Sequence, residues 1–227
     1  MYQLYFGNKN YSSWSLRPWV LLKHFNIPFQ EHMVSLAGRG AGDMHRGYSA
    51  NGLVPCLHDD GFQVWDTLAI AEYLAERHTG LWPADPIARA RARCISAEMH
   101  SGFGHVRGAM PMNIKMTLQG AELPTEVAED VARIDAIWSM TRAEFGGDSV
   151  EGPYLFGGFT IADAMFAPVV WRFHSYNVPL SPAAQVYCDA MRAHPAMSEW
   201  KASALAETDV LAHYDQMAQE TYGGPRG

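Results

Sequence analysis

The chain has 227 residues, of which 48% are hydrophobic and 18% charged, with a formal net charge of −7 and an isoelectric point near 5.8. This composition is typical of a globular protein with a sizeable core, in one large domain or two small ones, and it argues against disorder. Because the arginines are scattered and the net charge is negative, we expect no nucleic-acid partner.

The N-terminus and the cysteines bear on location and metal binding. The chain has no signal-peptide pattern and no stretch approaching the roughly 18 apolar residues of a membrane span, so we expect a cytoplasmic protein without a membrane partner. Cys56, Cys94 and Cys188 are widely spaced, which favours reduced thiols over a disulfide framework or a zinc site. His100 and His105 do not share a helical face, so no metal is assigned.

Strands and helices alternate over the first 80 residues. Tyr2–Phe6 is predicted to be a strand, and a helix starting near Ser15 follows, with one apolar face made of Leu16, Val20, Leu21 and Phe25. Phe29–Val34 is predicted to be the second strand, and a β-helix-β connection of this length implies a parallel pair. A Gly-rich stretch, Gly38–Gly42, comes next.

A hairpin and a helix complete this half. The predicted strands Pro55–His58 and Phe62–Trp65 flank Asp59–Gly61, and Asp-Gly supplies the positive φ angles that a tight turn needs. Apolar residues at helical spacing predict a helix from Thr67 to about His78. The order β-α-β-β-β-α predicts an N-terminal thioredoxin-like domain over residues 1–80.

Helical signals dominate beyond the Pro-punctuated segment Gly80–Pro86, where we place the domain boundary. Apolar residues at steps of three and four predict a long helix after Thr125 that ends at Gly146. Thr160–Asp163 resembles a capping box, and the very apolar stretch after it predicts a buried central helix. The second domain, residues 87–227, is therefore predicted to be all-helical.

Ser12, Ser13 and Ser15 lie where the first strand leads into the first helix. Unpaired N–H groups and the positive dipole end of a helix favour an anion there, and a hydroxyl can hydrogen-bond a thiolate. Such a site lowers the pKa of a thiol from about 8.5 by roughly one to several units. Ser12 suits the donor role, while helix capping by all three serines is the alternative.

Two further features lie downstream. Val54–Pro55 opens a strand and, taken alone, is a strand-edge proline. Asp66–Thr67 opens the helix after the hairpin, where an ordinary helix cap is the alternative to a ligand site. Asp66 and Thr67 can cap the helix and bind a ligand at once, since a helix N-terminus with a hydroxyl attracts a carboxylate while a neighbouring Asp binds an ammonium group.

The layout and these three motifs resemble the cytosolic glutathione S-transferase superfamily, above all its serine-type zeta class, over nearly the whole chain. The resemblance implies a glutathione co-substrate, a homodimer, and Ser12 as the catalytic donor to the glutathione thiolate. It implies a cis bond before Pro55 and a hydrogen bond from Val54 to the cysteinyl backbone. Asp66 and Thr67 would hold the γ-glutamyl end. The whole expected glutathione-binding set is Ser13, Trp14, Leu53, Val54, Pro55, Asp66 and Thr67.

Three positions depart from the zeta pattern. Trp14 stands where that class usually has Cys. Leu53 stands where many relatives place Lys or Gln, so the glycyl carboxylate of glutathione needs another partner. Ser175 holds the place of the arginine that zeta isomerases use for dicarboxylate substrates, and Arg172 lies one turn earlier. Candidates for binding the glycyl carboxylate are Arg39, His45 and Arg46, and for each of them a solvated loop charge is the favoured alternative.

The second substrate is expected between the domains, against residues 98–113. Methionine and aromatic side chains make an adaptable apolar pocket, and Pro111 is expected to kink a helix there. For Met99 and Phe103, a position in the apolar core face of a helix is the equal alternative. Arg107 could meet an anionic or carbonyl-bearing substrate, and the favoured alternative is a residue at the domain interface that is hydrogen-bonded within the protein. The residues predicted to contact the second substrate are Met99, Phe103, Arg107 and Met110.

The leading hypothesis is a glutathione S-transferase that conjugates the glutathione thiolate to a small hydrophobic electrophile. A zeta-like cis/trans isomerase of the maleylacetoacetate type is the first alternative, against which Trp14 and Ser175 count. A non-catalytic binding or scaffold protein is the second, because a fold does not fix function. Thiol-disulfide exchange is not expected, because no Cys occupies the helix entrance. The tail is expected to fray at Gly223–Pro225.

Overall fold

One four-stranded sheet organises the first part of the chain in the computed structural model, which describes residues 1–36, 46–146 and 152–225. The sheet is built from β1 (Tyr2–Gly7), β2 (Phe29–Val34), β3 (Cys56–Asp59) and β4 (Phe62–Trp65), in the order β2-β1-β3-β4. The predicted strands are thus present. The Gly-rich stretch Gly38–Gly42 lies outside the described residues, as do Arg39 and His45.

Strand pairing follows the order predicted from sequence. β1 runs parallel to β2, from Tyr2 opposite Phe29 to Gly7 opposite Val34. β3 is antiparallel to β1, and β4 is antiparallel to β3. Asp60 and Gly61 have φ angles of 46° and 89°, and two successive positive angles are what a tight two-residue hairpin turn requires.

The regular elements outside the sheet, among the described residues, are helices. The first half contributes α1 (Ser13–His24) and α2 (Thr67–Ala75). The second half contributes α3 (Pro86–Ser101), α4 (Gly104–Ala109), α5 (Thr125–Thr141), α6 (Ile161–Ser175), α7 (Pro182–Ala193), α8 (Pro195–Ala206) and α9 (Ala212–Tyr222). This confirms the predicted fold class, a thioredoxin-like unit followed by a helical one. None of the described helices is long and apolar enough to cross a membrane.

Helix α6 lies at the centre of the core, since all of its residues except His174 are buried. The carboxylate of Asp163 accepts hydrogen bonds from the backbone N–H and the hydroxyl of Thr160, at 2.8 and 3.1 Å, which realises the predicted cap. α6 packs against α1, α3 and α7. The start of α1, with Ser12, therefore lies where the two halves of the chain meet.

Residues 98–113 do not form one helix kinked at Pro111, so that expectation is wrong. α3 ends at Ser101, α4 begins at Gly104, and Pro111 lies beyond both. The break falls at Gly102 and at Phe103, whose φ is 54°. A Cβ at Gly102 would lie 2.7 Å from the carbonyl oxygen of Glu98, so the glycine allows α3 to close against its own last turn.

The C-terminal end is held in place rather than frayed. Tyr222, in the last turn of α9, is fully buried. The N–H of Gln119 donates to the carbonyl of Gly224 at 3.1 Å, and Leu118 pairs with Pro225 in an antiparallel bridge. The expectation of fraying at Gly223–Pro225 is therefore wrong, because the loop before α5 supplies partners for these residues.

Candidate active site

Two adjoining cavities lie at the starts of α1 and α2, where the two halves of the chain meet. The larger, of about 630 Å³, is lined by residues that include Ser12, Ser13 and Arg107. The smaller, of about 350 Å³, is lined by Pro55, Asp66 and Thr67 among others. Both cavities share Trp14, Leu53 and Val54. The structure thus brings together every residue predicted to bind glutathione.

Ser12 lies at the N-terminal end of α1, with 7% of its surface exposed. Its hydroxyl donates to Oγ of Ser15 at 2.7 Å, and that oxygen also accepts the N–H of Gly7 at 3.0 Å. The Ser12 side chain makes no capping hydrogen bond to α1, so capping does not occupy its hydroxyl. An anion in the larger cavity can therefore accept the hydrogen bond of the Ser12 hydroxyl in place of Ser15.

Trp14 forms the wall between the two cavities and leaves both open. The guanidinium carbons of Arg17 and Arg107 lie 4.3 and 5.5 Å from its ring centroid. The ring of His100 packs edge-on against the indole at 5.4 Å between centroids. Cation–π and ring contacts of this kind hold the indole in one orientation.

Arg17, which packs against Trp14, and Arg172, which lines the larger cavity, are both buried. Neither forms an ion pair within the ranges that the structure describes. Arg172 donates from Nε to the carbonyl of Met110 at 2.7 Å and from Nη2 to Oγ of Ser13 at 3.2 Å, while its buried Nη1 has no partner there. Burial lowers the pKa of Arg172 to about 10 and, with help from Arg172 and Arg107, that of Arg17 to about 9. Both stay charged at neutral pH.

Ser175 and Arg172 differ in where they lie. Ser175 is fully buried and donates its hydroxyl to the carbonyl of Asn113 at 2.7 Å. Arg172, one turn earlier on α6, lines the larger cavity. Arg172 therefore contributes positive charge to the larger cavity, as Arg107 does, although the position matched from sequence to the arginine of zeta isomerases is held by a serine.

The peptide bond between Val54 and Pro55 is cis, as the resemblance implies. Among the described residues, no loop or turn hydrogen bond uses the backbone N–H or C=O of Val54, so an extended peptide can pair with both. Leu53 is 51% exposed and lines both cavities. Arg46, proposed for the glycyl carboxylate, is exposed and is not among the residues that line either cavity.

Asp66 and Thr67 form the start of α2 at the smaller cavity. One carboxylate oxygen of Asp66 caps the helix by accepting the N–H groups of Leu68 and Ala69, and the other lies 3.2 Å from Nε2 of His100. The φ of Asp66 is 75°, a strained value that recurs at ligand sites. Oγ1 of Thr67 is buried and has no partner among the described atoms. A buried orphan hydroxyl at a helix start fits a ligand carboxylate.

Known proteins match both halves of the chain. Models of the N-terminal and C-terminal domains of glutathione S-transferases match residues 11–77 and 124–200. A probable maleylacetoacetate isomerase of Caenorhabditis elegans is 30% identical over 173 residues, which span 75% of this chain and 78% of that protein. This chain belongs to the glutathione S-transferase family. Its similarity to proteins named maleylacetoacetate isomerase makes it zeta-like.

Solved structures of glutathione transferases share the fold. A glutathione transferase homolog from Burkholderia gl BGR1 with bound glutathione has a TM-score of 0.65 at 24% identity, over 91% of this chain and 98% of that one. The theta-class enzyme of Xanthomonas axonopodis pv. citri, also with glutathione bound, has a TM-score of 0.63 at 20% identity, over 92% and 99%. At these identities the likeness concerns the fold alone.

Within this glutathione transferase, the residues predicted to contact the second substrate separate into two groups. Arg107 lines the larger cavity and donates from Nη1 to the carbonyl of His100 at 3.1 Å. Met99, Phe103 and Met110 are buried in the core and are not among the residues lining either cavity. Their contact with substrate stays a prediction. In the structure their side chains lie in the core, which is the alternative given for Met99 and Phe103.

Several residues of the larger cavity were not predicted from the sequence, namely Tyr11, Leu36, Pro111, Met112, Arg172, Leu211 and Tyr214. Pro111 and Met112 fall within the stretch expected to face the substrate. Leu211 and Tyr214 lie in the C-terminal part of the chain, which returns to the site from about 200 residues away. No local pattern in the sequence signals such a return.

Proposed function

We propose that this chain conjugates the thiolate of glutathione to a small hydrophobic electrophile. The observation that carries the proposal is a pair of hydroxyls at two helix starts. Ser12 offers a donor to the larger cavity, and Thr67 offers a buried, unpartnered hydroxyl to the smaller one. The first suits the thiolate of glutathione and the second suits its γ-glutamyl carboxylate, which are two of its three anionic groups, the third being the glycyl carboxylate.

The residues suggest how the reaction would proceed. Glutathione would lie with its γ-glutamyl end at Asp66 and Thr67, its backbone along Val54, and its sulfur at Ser12. The thiol proton is lost to water, and the Ser12 hydroxyl with the N-terminus of α1 stabilises the thiolate. Sulfur attacks an electrophilic carbon, a C–S bond forms, and the leaving group departs with the electron pair of the broken bond. Orientation and thiol ionisation supply the rate.

Replacing Thr67 by Val should weaken glutathione binding without harming the fold. The substitution keeps the shape of the side chain and removes a buried hydroxyl that has no partner in the described structure. We expect the Kd for glutathione to rise about 10- to 100-fold, the loss of one hydrogen bond to a charged group, while the pKa of the bound thiol stays unchanged. Isothermal titration and thermal unfolding measure both effects.

The opposite pattern would contradict the assignment. If Thr67→Val lowers the unfolding midpoint and leaves the Kd unchanged, the hydroxyl supports the helix and not the ligand. Thr125→Val, at the exposed start of α5, is the matched control, and neither the Kd nor the thiol pKa should respond to it.

Arg172 supports a second candidate, a zeta-like glutathione-dependent cis/trans isomerase. Its buried Nη1 lacks a partner among the described atoms, and the residue lines the cavity in which a second substrate would lie. Such a guanidinium suits a carboxylate of the substrate. In this reaction glutathione adds to the double bond and leaves again after rotation, so no atom of glutathione is consumed. Relatives named maleylacetoacetate isomerase give the candidate its substrate class, a maleyl diketo acid.

Arg172→Gln should separate the two candidates. With a maleyl diketo acid we expect kcat/KM to fall about 10- to 100-fold, because a charged hydrogen bond to the substrate carboxylate is lost. With a neutral aryl halide, kcat/KM should stay within about threefold. Equal losses for both substrates would mean that Arg172 supports Ser13 and Met110 and binds no carboxylate. Arg133→Gln, which removes an exposed ion pair with Glu98, is the control.

We also propose that the enzyme works in the cytoplasm as a homodimer. Phe62 and Trp65 on β4 and Ile87 on α3 are large exposed apolar side chains, which suits an interface between the first domain of one protomer and the second domain of its partner. The domain division itself, residues 1–80 and 87–227, is part of this proposal. Sedimentation of the purified chain, with Phe62→Lys as the variant expected to dissociate it, tests the dimer.

One comparison tests the whole proposal against a non-catalytic scaffold. The natively folded chain is passed over immobilised glutathione and assayed with an aryl halide and with a maleyl diketo acid. Retention on the column with turnover of the aryl halide supports the transferase, and turnover of the diketo acid alone supports the isomerase. A folded chain that is not retained and turns over neither substrate contradicts both, in favour of the scaffold.

A further inference from the structure

The loop that carries Ser12, residues 8–12, is buried along its whole length between β1 and α1. Backbone groups in a buried loop need partners, because an unpaired N–H or C=O is destabilising away from water. Many of the partners come from far along the chain, from residues 200–215, which we name the C-terminal strap. The strap runs from the last turns of α8 into α9.

Glu207 makes the central contact of the strap with this loop. Its Oε1 accepts the N–H of Lys9 at 2.6 Å, and its Oε2 accepts the N–H of Asn10 at 3.0 Å. Hydrogen bonds to an ionised carboxylate are about twice as strong as neutral ones. Nε1 of Trp200 donates to the carbonyl of Lys9 at 2.7 Å, and Nζ of Lys115 donates to the carbonyl of Glu207. Both the loop and its carboxylate partner are therefore fixed.

The contact reaches Ser12 through one turn of backbone. The carbonyl of Asn8 accepts the N–H groups of Tyr11 and Ser12, at 3.2 and 2.8 Å. Lys9 and Asn10 form the middle of that turn, and Glu207 holds the N–H groups of both. A shift of the turn would move the Ser12 hydroxyl relative to the cavity.

We propose that Glu207 is a positioning residue for Ser12, an inference that rests on the proposed role of Ser12 at the glutathione thiolate. Glu207 is not among the residues that line the larger cavity, so it acts through the loop backbone. The tripeptide would be held at Val54, Asp66 and Thr67, away from this loop. A displaced loop therefore changes thiol ionisation and turnover more than it changes affinity.

Glu207→Gln tests the proposal. The amide keeps one oxygen for one N–H and presents its own NH₂ to the other, so the loop must shift. We expect the thiol pKa of bound glutathione to rise by about half a unit to one unit and kcat with an aryl halide to fall about tenfold. The Kd for glutathione should stay within about threefold. The pH dependence of thiolate absorbance gives the thiol pKa.

The control is Glu199→Gln on α8, the helix that ends just before Glu207. Glu199 joins α8 to α1 through Lys23 at 2.7 Å, so it also links the two halves of the chain, but it lies at the surface and accepts no hydrogen bond from the backbone of the loop. It should leave the thiol pKa and kcat unchanged. A purely structural role for Glu207 predicts a lower unfolding midpoint with an unchanged thiol pKa, and that result overturns the proposal.

Amide hydrogen exchange of residues 8–12 supplies a readout that needs no glutathione. Glu207→Gln should speed exchange there, and Glu199→Gln should not. If the unaltered chain gives no thiolate signal, the proposed function has failed, whereas an identical signal or identical exchange in Glu207→Gln overturns the positioning role. Should Glu207→Gln not fold, Glu207→Asp, which withdraws the carboxylate by one methylene, is measured in the same way, and unchanged exchange would again overturn it.

Discussion

Replacing Ser12 by Ala is expected to raise the thiol pKa of bound glutathione by about one unit or more and to lower kcat/KM at neutral pH about 10- to 100-fold. The hydroxyl lies at the larger cavity, does not cap α1, and donates its hydrogen bond to Oγ of Ser15, a hydrogen bond that a thiolate can accept instead. The affinity should stay within about threefold, because the tripeptide is held mainly by other residues. Isothermal titration and thiolate absorbance against pH measure the two quantities separately.

The sign of the pH effect follows from the site. Without the donor, the thiolate is less stable while the neutral thiol is unaffected, so the activity profile of Ser12→Ala should shift to higher pH and recover at alkaline pH. Ser101→Ala is the control, because Ser101 is exposed at the end of α3, donates its hydroxyl to the carbonyl of Ala97 and lines neither cavity. A titration curve of Ser12→Ala that overlies that of the unaltered protein would refute the role given to Ser12.

Local sequence chemistry was enough to predict the sheet. Phe29–Val34 directly follows Pro28, which cannot continue the preceding helix, and Asp-Gly at Asp60–Gly61 fixes the hairpin, since nearby residues decide those geometries. The kink expected at Pro111 was wrong, because it depended on more than the type of the nearby residues. The helix had already ended at Gly102, where the fit to Glu98 depends on an atomic distance that no residue pattern reveals.

The candidate site divides in the same way. Ser12, Asp66 and Thr67 were predictable, because each lies at a helix start that the sequence marks. β1 and β4 run in the same direction, so the helices that follow them start at one edge of the sheet. Helical spacing predicts which residues share a face but not whether that face meets a cavity or the core, which is why Met99 could not be placed. The approach of Glu207 to Lys9 joins residues 198 apart, and no spacing rule predicts it.

Asp163→Ala is expected to have the largest effect on stability. The fully buried carboxylate accepts four hydrogen bonds, from the backbone N–H of Leu155 and Thr160 and from the hydroxyls of Thr160 and Tyr187. Removing it leaves buried donors unpaired and opens a cavity beside the central helix. We expect the free energy of unfolding at pH 8 to fall by about 3 kcal/mol, measured by urea denaturation. Thr160→Val, which removes one hydroxyl donor, should cost only about 1 kcal/mol.

The loss caused by Asp163→Ala should also depend on pH, in the direction opposite to that of an ordinary salt-bridged carboxylate. Burial raises the pKa of Asp163 to about 6, against the lowering by its four donors, so the ionised form is less favourable in the folded chain than in the unfolded one. The contribution of Asp163 to stability is therefore greatest below its unfolded pKa and declines as pH rises through about 6. Alanine does not titrate, so the difference between the two proteins should be about 1 kcal/mol larger at pH 5 than at pH 8. A difference that grows with pH instead would mean that the four donors outweigh burial and that Asp163 is held as an anion throughout.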